Sequence, residues 1–278
     1  MTAASPGPGS PQAAAASMTK SFQGLSDIKL VFRQLRFEQL SFWLNPIGAV
    51  FTIGFSTIFL VLLGSTAGSS TIGHGLTIKY VQYYVPGFVA YGIMSACYNV
   101  LAISMVNRRE MGLLKRVRLS PVPTWILMAA IFLSSMIIAL LQMVILLAVG
   151  RFGYSVHGPA NVVAFLLAVL VGMLVFTALG MAMSTLIPNV DAAGPAVSVV
   201  FFLLVFLSGL YYYIPPNTGL AQFSSYFPVR HLILALFASF QGQTTSPWAW
   251  HDLGVMAIWG VIGVVVTLRR WQWAPRRG

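Results

Sequence analysis

Six long apolar segments constrain this chain more strongly than any other feature of its sequence. They lie at about residues 46–63, 84–106, 124–149, 160–187, 196–214 and 248–268. Most of them approach the roughly 20 residues that a helix needs to cross the hydrocarbon core of a bilayer. Of the 278 residues, 58% are hydrophobic and 8% are charged, far from the balance of a water-soluble domain. The pattern predicts an all-α polytopic membrane protein with six transmembrane helices.

Basic residues indicate how these segments are oriented. Of the 16 Lys and Arg residues, four precede the first span, five lie between the second and third spans, and four follow the sixth. The remaining three are Lys79, Arg151 and Arg230. Because Lys and Arg are retained on the inner side during insertion, both termini are expected to be cytoplasmic. The net charge of +11 therefore reflects topology and does not indicate nucleic-acid binding.

The two ends of the chain differ from the apolar region between them. Residues 1–25 are rich in Ala, Ser, Pro and Gly, and this composition predicts a disordered cytoplasmic tail. Residues 26–42 place apolar residues at helical spacing beside a basic side, which predicts an interfacial helix. Asn45-Pro46 then turns the chain into the bilayer. We expect a single six-span membrane domain over residues 26–270, followed by a basic cytoplasmic tail over 271–278.

The loop from Asn107 to Pro123 carries five basic residues and is predicted to form an amphipathic helix on the membrane surface. Glu110 falls on the apolar side of this helix, and Gly112 lies within it at a cost of about 1 kcal/mol relative to alanine. A loop that serves only as a positive-inside anchor needs neither residue. The helix is therefore a candidate docking site for another protein, and the plain anchor remains the alternative.

The segment between the fifth and sixth spans contains an apolar run from His231 to Phe240 that is too short to cross a bilayer. It predicts short re-entrant or interfacial helices on the outer side. Aromatic residues surround the run, and they either anchor the fold at the membrane boundary or contact a substrate. The candidates for a substrate path or outer gate are Asn99, Ser208, Tyr212, Tyr213, Phe227 and His231.

Several chemistries are not indicated by the sequence. Ionisable residues are not found at the span centres, where proton-driven transporters usually need them. Lys20-Ser21 follows Thr19 and not glycine, so it is no phosphate-binding loop. No catalytic residue, metal site or cofactor is expected in this chain, and Cys97 is its single cysteine.

An intramembrane serine protease is a remote alternative, because Ser208-Gly209 precedes His231 and His251. Phe206 stands where a G-x-S-G arrangement needs glycine, and Ser208 is expected to bond its own helix backbone.

The loop after the second span contains Arg109, Glu110, Gly112, Leu114, Arg118, Ser120 and Pro121 in the pattern R-E-x-G-x-L-x-x-x-R-x-S-P. This pattern resembles the loop of permease subunits of ATP-binding-cassette transporters, in the type-two export group, which reads approximately R-E-x-G-T-L-x-x-L-R-x-S-P. Leu113 and Val117 depart from the family's threonine and leucine. Further matches are Val85-Pro86-Gly87-Phe88, Ser208-Gly209 with Pro215, and Pro228-Val229-Arg230-His231. In size and pattern the chain is most similar to daunorubicin-resistance-type permeases.

The resemblance implies a partnership with two cytoplasmic ATPase subunits, which carry the ATP and Mg, and with a second permease copy or paralogue in a bacterial plasma membrane. It implies a coupling helix at the loop after the second span, formed by Arg109, Glu110, Met111, Gly112, Leu113, Leu114, Lys115 and Arg116. Without charge at the span centres, the expected cargo is hydrophobic or amphiphilic: a drug, a lipid or a lipid-linked glycan. A non-transporting membrane scaffold or signalling subunit has the same topology and remains the alternative.

Overall fold

The computed structural model describes residues 11–67, 70, 79–114, 123–212, 214–215, 218–241 and 248–271, with backbone alone for 11–26 and 67. We number its helices in chain order: α1 Pro11–Trp43, α2 Pro46–Thr66, α3 Tyr80–Glu110, α4 Thr124–Tyr154, α5 Val162–Leu186, α6 Val190–Leu207, α7 Gly219–Ser224, α8 Pro228–Phe240 and α9 Trp250–Arg270. Six of them, α2 to α6 and α9, are long and apolar enough to cross a membrane. The predicted all-α architecture with six spans is confirmed.

Side-chain caps explain where several of these helices begin. The Asn45 side-chain oxygen accepts a hydrogen bond from the Gly48 N–H at 3.2 Å, and Pro46 occupies the first helical position of α2. Asn189 caps α6 in the same way, accepting from the Ala192 N–H at 2.9 Å. Asparagine satisfies an otherwise unpaired N–H at a helix start, and proline has no N–H to leave unpaired there.

Two spans begin earlier than the sequence indicated, and in both cases a proline lies inside the helix. α3 begins at Tyr80 and continues through Pro86, whereas the expected start was residue 84. α6 begins at Val190 and continues through Pro195, whereas the expected start was residue 196. Membrane helices tolerate internal proline because neighbouring groups satisfy the freed carbonyl. Placing a span start beside a proline was therefore an error of four residues in α3 and six in α6.

The amino-terminal helix also extends further than expected. α1 begins at Pro11, so residues 11–25 are helical where the composition predicted disorder. This segment contains four consecutive alanines, and alanine has the highest intrinsic helix propensity. Residues 26–42, the predicted interfacial helix, are the second half of α1. Residues 1–10 and 272–278, in the two predicted tails, lie outside the described part of the chain.

α3 is the central helix of the bundle. Every residue from Tyr83 to Tyr98 is buried, and α3 packs against α2, α4, α5 and α8. α5 lies between α3 and α9, and its backbone approaches both helices closely. A Cβ added at Gly180 would meet the Cys97 carbonyl oxygen of α3 at 2.8 Å, and one at Gly263 of α9 would meet the Ala178 backbone of α5 at 2.9 Å. Small residues at these crossings let membrane helices approach closely.

The two short helices occupy the segment where short helices were predicted. α8 has 13 residues, too few to cross a bilayer, and it packs against α3, α5 and α9. Its N-terminal residues, from Pro228 to Ile233, are all buried. The structure thus fixes α8 against the bundle, and its entry into the membrane stays a prediction.

Candidate functional site

Arg109, near the end of α3, is a buried cation with three hydrogen-bonding partners. Its side chain is 2% exposed. Its Nε donates to Glu110 Oε1 at 2.7 Å, and its two terminal nitrogens donate to the carbonyls of Ser184 at 3.0 Å and Ile187 at 2.6 Å. The last carbonyls of a helix have no partner within it, and the helix dipole makes that end negative. Arg109 therefore caps the C-terminus of α5.

Arg108 ties α3 to the amino-terminal helix. Its NH1 donates to one carboxylate oxygen of Glu38 at 2.9 Å, and NH2 contacts the other oxygen, which gives a bidentate ion pair. Glu38 is buried in α1 and also accepts from the Gln34 side chain at 3.0 Å. One residue further along α1, Gln39 donates to the Ser134 hydroxyl of α4 at 2.9 Å. Together these bonds fix α1 against α3 and α4.

The predicted coupling helix from Asn107 is not continuous. α3 runs on to Glu110, and Gly112 then breaks it with a φ of 70°, a conformation that glycine adopts without strain. Asn107 to Glu110 therefore belong to the second span. After the break, Met111 and Leu113 are exposed, by 66% and 43%, while Leu114 is buried. Lys115 and Arg116 lie outside the described residues.

Glu110 was predicted to lie on the apolar side of a surface helix, and the structure places it instead in the last turn of α3. Its carboxylate is mostly buried and pairs with Arg109. The two residues share the last turn of α3, so the acid next to the buried arginine supplies its counter-charge. We name the set of Glu38, Arg108, Arg109 and Glu110 the junction cluster. It joins α1, α3 and α5 immediately before the loop that was predicted to dock a partner.

Polar groups also lie within the bundle, where α2 and α3 each contain a π-helical turn, at Val50–Gly54 and Ser95–Val100. Asn99, a predicted path residue, lies in the second turn, and its side-chain oxygen is buried without a hydrogen-bond partner among the described residues. Gln142 of α4 reaches the first turn and donates to the Thr52 carbonyl at 2.9 Å and to Ser56 Oγ at 2.6 Å. Such turns are frequent at functional sites.

The predicted gate residues between α6 and α8 have different environments. Tyr212 is 41% exposed and donates to the Phe206 carbonyl at 3.0 Å. Phe227 is partly buried and packs edge-on against Phe223, with ring centroids 5.4 Å apart. Tyr213 lies outside the described residues. The two described aromatics thus border the short helices, and neither is enclosed in the core.

His231 is the most strongly bonded of the predicted gate residues. Its Nδ1 lies 2.6 Å from Asp252 Oδ1 of α9, and its Nε2 lies 2.7 Å from the Ser225 carbonyl. Burial lowers the pKa of His231, but the hydrogen bonds with Asp252 and Ser225 outweigh this effect, so the pKa lies above its usual value. The His251 ring is close by, with centroids 5.8 Å apart.

These contacts place Ser208 and His231 in separate hydrogen-bonded sets. The Ser208 hydroxyl donates to the Val205 carbonyl of its own helix at 2.6 Å, as predicted. Both ring nitrogens of His231 face Asp252 and Ser225. A nucleophilic serine needs its base within hydrogen-bonding reach, and here both side chains are engaged elsewhere. The geometry gives no support to a protease.

Three side chains of these sites were not recognised in the sequence: Glu38, Gln142 and Asp252. Each makes its bond across 21 to 90 positions of the chain, so no local spacing indicates the pairing. The available signal was an acidic or amide residue in an otherwise apolar or basic helix. Such a residue needs a partner when it is buried.

Comparison with known families now identifies the class of protein. The sequence profile of the family described as ABC-2 family transporter protein matches residues 68–269. The match covers well over half of the chain, so this protein belongs to the ABC-2 family and is a membrane subunit of the ABC transporter class. The family resemblance drawn from the loop motif is confirmed.

Curated relatives are more distant. The chain is similar to the probable multidrug ABC transporter permease YbhR of Escherichia coli K12, with 25% identity over 158 residues, which are 55% of this chain and 42% of the relative. The protein of the same name from Escherichia coli O157:H7 matches to the same extent. The matched region spans less than half the length of these relatives.

Proposed function

We propose that this protein is the permease of an ATP-driven exporter, whose energy comes from an ABC ATPase on a separate polypeptide. The family supports an ABC permease, and the junction cluster carries the rest of the proposal. The loop after α3 begins directly beyond Glu110 with two exposed apolar residues, Met111 and Leu113. An ATPase bound to this loop would pull on α3, and through Arg108 and Arg109 on α1 and α5.

The cluster suits this role because its bonds are directional and buried. The fork of an arginine fixes the orientation of the groups that it binds, in contrast to the point charge of a lysine. Arg109 holds the end of α5 through two backbone carbonyls, so α5 cannot move independently of α3 without losing both bonds. Closure of two ATPases beneath a pair of permeases would therefore shift several spans together, which is how a bound nucleotide biases two arrangements of a transporter.

The cargo that fits this bundle is hydrophobic or amphiphilic. Every Asp, Glu, Lys and Arg of the six spans lies within four residues of a span end, so the middle of the bundle offers no counter-charge to an ionic cargo. Its interior polar groups are amides and hydroxyls such as Asn99 and Gln142. Drugs, lipids and lipid-linked glycans have the matching chemistry.

The aromatics beside the short helices are proposed as the outer gate. Tyr212 and Phe227 present flat apolar faces that an amphiphile contacts without a compensating charge. Phe227→Ala should lower export or substrate-stimulated ATP hydrolysis while the amount of ATPase bound to the permease is unchanged. Equal losses of expression and export would instead make Phe227 a structural anchor.

Docking is tested by a charge placed at the exposed start of the loop. Met111→Asp should abolish co-purification of vanadate-sensitive ATPase activity with the tagged chain from its native membranes, while the yield of the permease is unchanged. Phe152→Asp is the matched control, because Phe152 is 88% exposed and lies at the opposite end of α4 from this loop. Equal ATPase activity with the Met111 and Phe152 variants would overturn docking at the loop.

A further inference from the structure

Three side chains with metal-binding atoms meet where α8 and α9 begin: His231, His251 and Asp252. One ligand atom from each lies within 4.8 Å of the other two. His251 and Asp252 are consecutive residues of α9, whereas His231 of α8 is separated from Asp252 by 21 positions and joins them through the fold. His251 is exposed and Asp252 partly exposed, so ions in solution reach the cluster directly.

The hydrogen bonds of His231 set it up as a ligand. The Ser225 carbonyl has no proton to give, so the Nε2 of His231 must carry the hydrogen of the 2.7 Å bond between them. Metal-binding histidines nearly always donate their second ring N–H to a carbonyl or carboxylate, which fixes the tautomer and the ring orientation. With Nε2 bonded to Ser225, it is Nδ1 that is left to bind an ion, and it faces Asp252.

We propose that His231, His251 and Asp252 form a binding site for a divalent transition-metal ion of the zinc class. The ligand set of two imidazoles and one carboxylate favours Zn²⁺ over Mg²⁺ or Ca²⁺, which prefer oxygen ligands. Ligands of a tetrahedral Zn²⁺ lie about 3.4 Å apart, given bond lengths of about 2.0–2.2 Å. The cluster reaches this spacing when the Nδ1 of His231 separates slightly from Asp252 and the exposed His251 ring turns inward.

Two groups of opposite charge lie beside the site, and Asp252 offsets the charge of Arg230. Arg230, next to His231, brings a positive charge close, and the carboxylate of Asp252 opposes it from α9. A bound ion would take the place of the proton between His231 Nδ1 and Asp252, so the carboxylate keeps a cationic partner. The ion would fasten the start of α8 to the start of the sixth span. This site does not depend on the proposed transport activity, because metal binding is measured on the permease alone.

Zn²⁺ binding to the full-length chain, purified without a polyhistidine tag, tests the proposal. We expect one Zn²⁺ per chain in competition with a chromogenic chelator, with excess Mg²⁺ having no effect. His251→Ala should weaken the affinity at least about ten-fold, and it is the decisive variant because an exposed side chain is replaced without disturbing the bonds of His231. Asp252→Asn should weaken it as well.

His157→Ala is the matched control, since His157 is another exposed histidine and lies in the connection between α4 and α5. Its affinity for Zn²⁺ should equal that of the parent. The proposal is overturned if the parent binds no Zn²⁺, if the His251 and His157 variants bind it equally, or if Mg²⁺ competes at similar concentrations.

Discussion

Arg109 shows how one residue meets two demands of a buried helix end. An unpaired charge in an apolar interior is very costly, and so are the unbonded last carbonyls of a helix. Arg109 satisfies both, because its guanidinium is neutralised by Glu110 and donates to the carbonyls of Ser184 and Ile187. The Arg-Glu pair of the loop motif thus has a structural role at the end of α3, before any role in docking.

Replacing Arg109 by lysine should destabilise the protein even though the charge is kept. A single ammonium group has no planar fork, so it cannot serve the Glu110 carboxylate and both carbonyls in their present positions. Arg109 donates one hydrogen bond to the carboxylate and two to the carbonyls, and a hydrogen bond that involves a charged group contributes about 1.5–3 kcal/mol. Arg109→Lys should therefore unfold or aggregate at a clearly lower temperature in detergent, as measured by size-exclusion chromatography after heating.

Arg151→Lys is the control for this prediction, because Arg151 is exposed near the end of α4. Its melting temperature should stay close to that of the parent, since exposed ion pairs contribute little. Equal melting temperatures for the Arg109 and Arg151 variants would show that the several hydrogen bonds of the Arg109 guanidinium are not needed for stability.

Gln142 gives a second test at the level of a single side chain. It is fully buried and bonds to the Thr52 carbonyl and the Ser56 hydroxyl of α2. Hydrogen bonds between membrane helices are worth about 0.6 kcal/mol on average and up to about 1.7. Gln142→Leu should lower thermal stability by about 1 kcal/mol, whereas Leu141→Ala, at a partly exposed neighbour, should have a smaller effect. The reverse order would contradict a bonding role for Gln142.

At the level of elements, the junction cluster makes α1 part of the bundle instead of a loose surface helix. Glu38 is buried against Arg108, and Gln39 bonds to Ser134. An apolar and basic segment of this kind is expected to lie on the membrane surface. That expectation left out Glu38, which is buried and therefore needs a partner. Movement of α3 relative to α1 requires the ion pair to break or to move as a unit.

A double-mutant cycle measures that connection. Glu38→Gln and Arg108→Gln should each lower thermal stability, and the double variant should lose less than the sum of the two, with a coupling of about 1 kcal/mol. The expected sign follows from the bidentate contact, since either single change leaves a charge without its counter-charge. Additive losses in the cycle would mean that the two residues stabilise the protein independently.

The helices show which features of the fold can be predicted from one sequence. Hydropathy locates the six spans because crossing a bilayer demands about 20 apolar residues whatever the neighbours are. It does not locate helix ends, which depend on satisfying backbone groups: Pro86 and Pro195 lie inside helices, and Gly112 ends α3 where a continuous amphipathic pattern suggested a helix.

In the candidate sites, too, local pattern predicted some residues and missed the partners that they bind. The basic loop from Asn107 and His231 were recognised from local pattern. Glu38, which pairs with Arg108 of that loop, and Asp252, which pairs with His231, come from distant parts of the chain. Pairings across tens of residues are created by packing, and no spacing rule encodes them.

For the whole molecule, the structure gathers the second half of α1, the start of the loop after α3 and the residue that follows α9 at one end of the bundle. Glu38 contacts Arg108, and Trp271 packs against the small apolar cluster that contains Leu114. The start of α9, with Asp252, lies at the other end beside α8. The described parts of the three basic segments therefore lie at one end of the bundle, and we expect this end to face a single side of the membrane.

The positive-inside rule predicts that this side is the cytoplasm, and cysteine labelling checks it. Cys97 is fully buried and is first replaced by alanine. Met111→Cys and Phe152→Cys then mark the two ends of the bundle. The native side chains at these positions are 66% and 88% exposed. A membrane-impermeant maleimide should label Phe152→Cys in intact cells and Met111→Cys only after permeabilisation. Labelling of Met111→Cys in intact cells, with Phe152→Cys protected, would place the docking loop outside and remove the basis for an ATPase partner there.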